Sequence, residues 1–109
     1  MEACMSGNEK NPEASLAIQV LPKTRDDAEL LRIVDAVISY IKSTGLKTFV
    51  GPFETTIEGS FEKLNEIACE AQKICIREGA KSVSTNMKWV YAPGSGTWSI
   101  EEKTAKYHG

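Results

Sequence analysis

Hydrophobic and polar positions along the chain follow two periods, and their order predicts six secondary-structure elements. Alternation with a period of two marks residues 15–21 and 82–90 as strands, and shorter segments at residues 46–50 and 53–58 predict two more. Two further segments, from Leu30 to Ile41 and from Leu64 to Cys75, carry apolar residues at helical spacing. The predicted order of elements is therefore β-α-β-β-α-β.

Local signals predict where the helices begin and end. Asp26 and Ser60 precede the two apolar stripes, and short polar side chains accept hydrogen bonds from the first backbone N–H groups of a helix. Gly45 and Gly79 follow the stripes and can adopt the left-handed conformation that ends a helix. The connection between the second and third strands is so short that we expect a hairpin.

This order predicts an α+β ferredoxin-like sandwich, a four-stranded antiparallel sheet with two helices on one face. The apolar pattern of residues 30–41 recurs at residues 64–75, as expected for a doubled βαβ unit. Right-handed crossovers then give the strand order 4-1-3-2. We expect residues 1–13 to be a disordered lead-in, residues 14–109 to form one domain, and residues 100–106 to form a short helical tail.

Composition narrows the classes of function. Thirteen basic and fifteen acidic residues give a formal net charge of −2, which is not the basic field of a nucleic-acid-binding domain. The three cysteines show neither a CxxC motif nor zinc-ligand spacing, and the one histidine is His108. No segment approaches the ~20 apolar residues that span a bilayer. We therefore predict a cytoplasmic protein with reduced thiols and with no metal, nucleic-acid or membrane partner.

Two helices can cover only one face of the predicted sheet, and the opposite face is called the open face here. Convergent polar groups beside an aromatic ring suit a small polar heterocycle. A solvated sheet face or a subunit interface explains the same composition more often. Strand alternation places on the open face Ala17, Gln19, Phe49, Thr56, Glu58, Ser84, Asn86 and Lys88.

Glu58 is the most specific single candidate, because it ends the third strand just before the second helix. A carboxylate there can accept hydrogen bonds from an amino-heterocycle or face a cation, and it can equally favour the positive end of the helix. Trp89 shares its strand phase with apolar residues, so we expect it in the core. The glycine-rich residues 94–97 lack the lysine of a phosphate-binding loop and are predicted to form a turn.

The segment GPFETTIEGS, residues 51–60, resembles the hallmark hairpin of the small thiamine-binding protein family, above all in its TTIEG core. The resemblance extends over residues 15–106. It implies a ferredoxin-like domain that binds thiamine or its hydroxymethylpyrimidine moiety without catalysing a reaction and without a further cofactor. It also implies homodimers or homotetramers assembled through the sheets, with the ligand held near the interface.

The resemblance carries two ligand-binding residues over directly, Thr55 and Glu58. Glu54 departs from the small residue expected in this hairpin. Lys47 and Lys88 are available for a phosphate group, but the sequence shows no dense basic pocket, so the unphosphorylated vitamin is the favoured ligand. Strand alternation adds to the candidate site Gln19, Phe49, Thr56, Ser84 and Asn86.

Two other functions fit the same fold. An acyl-phosphate hydrolase could use Arg25 to hold phosphate and Asn86 to orient water, but such an enzyme expects a glycine-rich loop, and residues 22–25 contain no glycine. A structural or regulatory oligomerisation module would use the open face only as a subunit interface.

Overall fold

Six elements follow one another along the chain in the predicted order. The computed structural model describes residues 12–97 and residue 100. Its strands form one antiparallel sheet in the order β2-β3-β1-β4, which is the predicted order seen from the other edge. The ferredoxin-like α+β fold is therefore confirmed. The elements are β1 Ala14–Pro22, α1 Asp27–Ser43, β2 Thr48–Val50, β3 Thr55–Gly59, α2 Phe61–Arg77 and β4 Val83–Tyr91.

The hairpin strands are shorter than predicted. β2 begins at Thr48, two residues later than expected, because the chain leaving α1 is still held by a bond from the Leu46 N–H to the Thr44 hydroxyl. β3 begins at Thr55, because the Gly51 N–H donates to the Glu54 carbonyl at 2.9 Å and closes the turn. Residues 51–54 are therefore the hairpin loop.

Both helices begin and end at the predicted residues. Asp26 Oδ1 accepts from the Glu29 N–H at 2.9 Å, and Ser60 Oγ accepts from the Lys63 N–H at 3.2 Å. Gly45 and Gly79 follow the helices with φ angles of +77° and +114°, the left-handed conformation that favours glycine. Among the described residues, no helix has the length and apolarity to cross a membrane.

The core lies between the helices and one face of the sheet. Leu16 of β1 and Ile57 of β3 are directly paired and fully buried, so the two central strands form the sheet side of the core. Trp89 packs against this core, and its ring meets that of Phe61 edge-on at 5.2 Å, as expected for a core residue. The helices contribute the buried residues Ile33, Val37, Ile41, Leu64, Ile67, Ala68, Ala71, Ile74 and Cys75.

Two residues assigned to the lead-in are held by hydrogen bonds. Glu13 Oε1 accepts from the Phe61 N–H at 2.9 Å, so this carboxylate lies at the positive end of α2. The Pro12 carbonyl accepts from the Thr97 N–H at 2.8 Å. Residues 1–11 and 101–109 lie outside the described residues, as does most of the predicted tail, of which Ile100 is helical.

Candidate functional site

The strand register shows which side chains share the open face. Ala17, in the centre of β1, pairs with Thr56 on one side and with Lys88 on the other, and Phe49 pairs with Thr56 from β2. Directly paired residues in an antiparallel sheet point to the same side. These four residues therefore form the middle of the open face, as strand alternation predicted.

The remaining candidates extend the open face toward its two ends. Gln19 pairs with Asn86, and Asn86 Nδ2 donates to Gln19 Oε1 at 3.1 Å, so the two amides fix each other's orientation. Ser84 lies beyond them and is exposed. Glu58 lies toward the opposite end, where its partner is Ser15. Six of the seven predicted site residues therefore lie on the open face, and they are spread along its whole length.

A cleft of about 340 Å³ opens on this face beside the β2–β3 turn. We call it the hairpin cleft, and its volume lies in the lower part of the ~300–1,000 Å³ range of ligand pockets. Both aromatic rings that line it are accessible, since Phe49 is 45% and Phe53 is 77% exposed. The cleft can therefore offer a ring face to a ligand. It is lined by Phe49, Gly51, Pro52, Phe53, Glu54, Thr56 and Lys88.

Two opposite charges flank the hairpin cleft. Lys88 Nζ lies 3.9 Å from Glu54 Oε1, with the lysine side chain 81% and the glutamate side chain 39% exposed. Ala17 separates Thr56 from Lys88 in the register, and its methyl side chain leaves room for the lysine to reach across β1. We did not predict Glu54 as a site residue, and its position in the hairpin turn beside Thr55 was the available signal.

Thr55 lies on the other side of the sheet from Thr56. Only 7% of it is exposed, and it lines a second cavity of about 120 Å³ between the hairpin and α1. That cavity is mostly apolar, with Ile18, Val37 and Ile41 among its walls. Since neighbouring strand residues point in opposite directions, the structure does not bring Thr55 into the hairpin cleft.

Glu58 is engaged by the chain itself. Its Oε2 accepts a hydrogen bond from the backbone N–H of Ile100, and Ile100 is buried. Its cross-strand partner Ser15 is buried as well, and Ile100 lies at this end of the open face. Glu58 does not line the hairpin cleft and is separated from Thr56 by one residue, or ~7 Å along β3.

The features considered for other functions have local roles. Arg25 precedes the N-cap of α1, and its guanidinium lies 3.6 Å from the Glu29 carboxylate in the first turn, with 86% of the arginine side chain exposed. The predicted turn at residues 94–97 is confirmed, since the Gly96 N–H donates to the Ala92 carbonyl at 2.8 Å and Gly96 has a positive φ.

The resolved pKa shifts lie on the helices. Burial raises the pKa of the Cys75 thiol. Burial also raises the pKa of the Tyr40 hydroxyl, and the nearby negative charge of Glu70 adds to this increase. Both residues belong to the helical layer, so these groups do not belong to the open face.

The model of a family described as thiamine-binding protein matches residues 16–108. This chain belongs to the thiamine-binding protein family. The chain is also similar to the UPF0045 protein CPE1503 of Clostridium perfringens (strain 13 / Type A). The two sequences are 45% identical over 93 residues, which make up 85% of this chain and 95% of the relative.

Solved structures show the same fold over nearly the whole chain. A domain of unknown function, DUF77, from Bacillus cereus is 32% identical, with a TM-score of 0.79 over 90% of this chain and 92% of that one. TM0486 of Thermotoga maritima, a protein provisionally assigned to thiamine biosynthesis or salvage, is 34% identical. Its TM-score is 0.76 over 89% of this chain and 100% of that one. These solved structures therefore share the fold that the described residues adopt.

Proposed function

We propose that the protein binds thiamine or its hydroxymethylpyrimidine moiety reversibly, without converting it, in the hairpin cleft. One observation carries this proposal. An exposed ring, a hydroxyl and a carboxylate, those of Phe49, Thr56 and Glu54, line one cleft in a chain of the thiamine-binding protein family. The cleft is the part of the open face where these three groups meet.

Each group of the hairpin cleft matches a part of the ligand. The exocyclic amine of an aminopyrimidine can donate to the Glu54 carboxylate, and a ring nitrogen can accept from the Thr56 hydroxyl. The flat ring can stack on Phe49, a contact worth about 0.5–1.5 kcal/mol between aromatic rings. The thiazolium of thiamine is a fixed cation, which both the carboxylate and an aromatic face attract.

The other predicted site residues take different roles in this proposal. Gln19 and Asn86 form a hydrogen-bonded amide pair on the open face, outside the lining of the hairpin cleft, with Ser84 beyond them. We place Glu54 in the role that we predicted for Glu58, because Glu58 Oε2 already accepts from Ile100. Thr55 supports the hairpin from the helical side and does not contact the ligand.

We also propose that the protein forms a homodimer or homotetramer through the open face. Leu21 and Val90 occupy this face toward its two ends, and both are about half exposed, like Phe49. A second copy that covers these side chains removes apolar surface from water, which favours association. A second copy would cover the ends of the face and leave the ligand near the interface.

We assign this binding to the cytoplasm. Cys69 and Cys75, the two cysteines within the described residues, are free thiols, as is usual in a reducing compartment. A reversible binder there can act as a carrier, a buffer or a sensor of the vitamin.

Isothermal titration with thiamine and with hydroxymethylpyrimidine tests the proposed function. We expect saturable binding with one site per chain, and we expect Glu54→Gln to weaken it about three- to tenfold, the effect of a partly exposed charged hydrogen bond. The control Asp35→Asn removes an exposed carboxylate on α1 and leaves the binding unchanged. Folded protein that takes up neither ligand at millimolar concentration contradicts the proposal and favours the oligomerisation module.

A further inference from the structure

The charges at the hairpin cleft form a pair of opposite sign. Glu54 and Lys88 both line the cleft, and their charged atoms are 3.9 Å apart. Because the lysine is largely exposed, the attraction between them is weak and is screened by water. A ligand can therefore replace the ion pair at little cost, provided that it offers a partner to each of the two charges.

A ligand that is only a cation satisfies one charge and opposes the other. A thiazolium ring placed against Glu54 lies within reach of the Lys88 ammonium, inside the ~8 Å screening length at physiological ionic strength. Lys88 then loses its carboxylate partner and faces a like charge. A ligand that also carries an anionic group removes both disadvantages, because that group can take the place of Glu54 beside Lys88.

The surroundings of Lys88 suit such an anion. Lys88 is on the open face two residues from Asn86, whose amide is oriented by Gln19. Both of these side chains carry N–H donors, so neutral donors lie two strand positions from the ammonium group, just outside the lining of the hairpin cleft. The opposite edge, formed by Phe49 and Glu54, offers a ring and a carboxylate.

We infer that the hairpin cleft selects a ring cation that also bears a phosphate ester, of which thiamine monophosphate is the simplest case. The ring stacks on Phe49, the thiazolium faces Glu54, and the phosphate pairs with Lys88. This inference rests on the proposed function. It reverses the sequence-based preference for the unphosphorylated vitamin, which considered the two lysines without the position of Glu54.

Calorimetric titrations with thiamine, thiamine monophosphate and inorganic phosphate test the inference. We expect the monophosphate to bind about two- to fivefold more tightly than thiamine, the range that one exposed ion pair gives. Lys88→Met removes this preference, and Lys73→Met, which changes an exposed lysine on α2, retains it. Glu54→Gln weakens both vitamin forms.

Three outcomes overturn the inference. If thiamine binds wild-type protein as tightly as its monophosphate, the phosphate has no partner, although the proposed function stands. If inorganic phosphate binds as tightly as the monophosphate, the cleft recognises an anion alone. If folded protein binds no vitamin form, the proposed function and this inference fail together. Thermal unfolding of Lys88→Met and Glu54→Gln establishes that both variants are folded.

Discussion

Glu58 and Ile100 are 42 positions apart in the sequence, yet the Glu58 carboxylate accepts a hydrogen bond from the Ile100 backbone N–H. This contact joins the end of β3 to the residues that follow the sheet. It gives Glu58 a structural role, because this carboxylate accepts from a partly buried N–H group.

Replacing Glu58 by alanine should therefore reduce stability more than ligand affinity. The free energy of unfolding is expected to fall by about 1–3 kcal/mol, the cost of leaving such a group without its acceptor. Urea denaturation measures this change, and titration with thiamine is expected to show an affinity within about twofold of wild type. Asp35→Ala, an exposed position on α1, is the control for stability. If the variant keeps its stability but no longer binds thiamine, Glu58 belongs to the binding site instead.

Thr55 and Thr56 are neighbours on opposite sides of β3, so the same substitution should have two different effects. Thr56→Val removes a hydroxyl from the hairpin cleft and should weaken thiamine binding about two- to tenfold, the effect of one neutral hydrogen bond. Thr55→Val changes a buried position that faces α1 and should leave the affinity unchanged. Parallel calorimetric titrations make the comparison, and equal losses of affinity in both variants would contradict the assigned faces.

The Phe49 ring should contribute to binding through stacking. Phe49→Ala is expected to lower thiamine affinity about two- to tenfold, because one aromatic contact is worth about 0.5–1.5 kcal/mol. Stability should change little, since the ring is partly exposed. Leu31→Ala alters an exposed apolar residue on α1, away from the open face, and should bind thiamine as wild type does. A Phe49→Ala protein with undiminished affinity would exclude stacking on this ring.

Burial of Cys75 predicts a stability change in alkaline solution. Burial raises the pKa of its thiol in the folded state, so the unfolded state releases this proton at lower pH than the folded state does. The stabilisation is complete below the thiol pKa of the unfolded chain, about 8.5, and is lost as the pH rises through the folded pKa. Urea denaturation from pH 7 to 9.5 should show this loss in wild type and in Cys69→Ala, and less of it in Cys75→Ala. If the free energy of unfolding depends on pH equally in all three proteins, Cys75 is not the source of the change.

Local patterns were sufficient to predict the fold and its open face. Alternation fixes the side of a strand on which each residue lies, so Gln19 and Asn86 could be placed together before their hydrogen bond was known. Caps such as Asp26 depend on residues three positions away, which the sequence shows directly. The paired strands and both helix starts were predictable for this reason.

The cleft itself depends on contacts that no local pattern contains. Glu54 and Lys88 come from the hairpin and from β4, which are separated in the sheet by β1. Their approach requires the short turn at residues 51–54 and a small side chain at Ala17 between the strands. Likewise, the bond from Ile100 to Glu58 joins residues 42 positions apart, a contact that no local motif contains.

Amide chemical-shift mapping during a titration with thiamine tests the central claim most directly, because it locates the ligand on the protein. We predict that the largest shifts occur at Phe49, Thr56 and Lys88, which line the hairpin cleft but not the cavity beside α1, and that they saturate together. Shifts that cluster between α1 and the sheet, or around Ser15 and Glu58, would contradict the assignment of the ligand to the hairpin cleft.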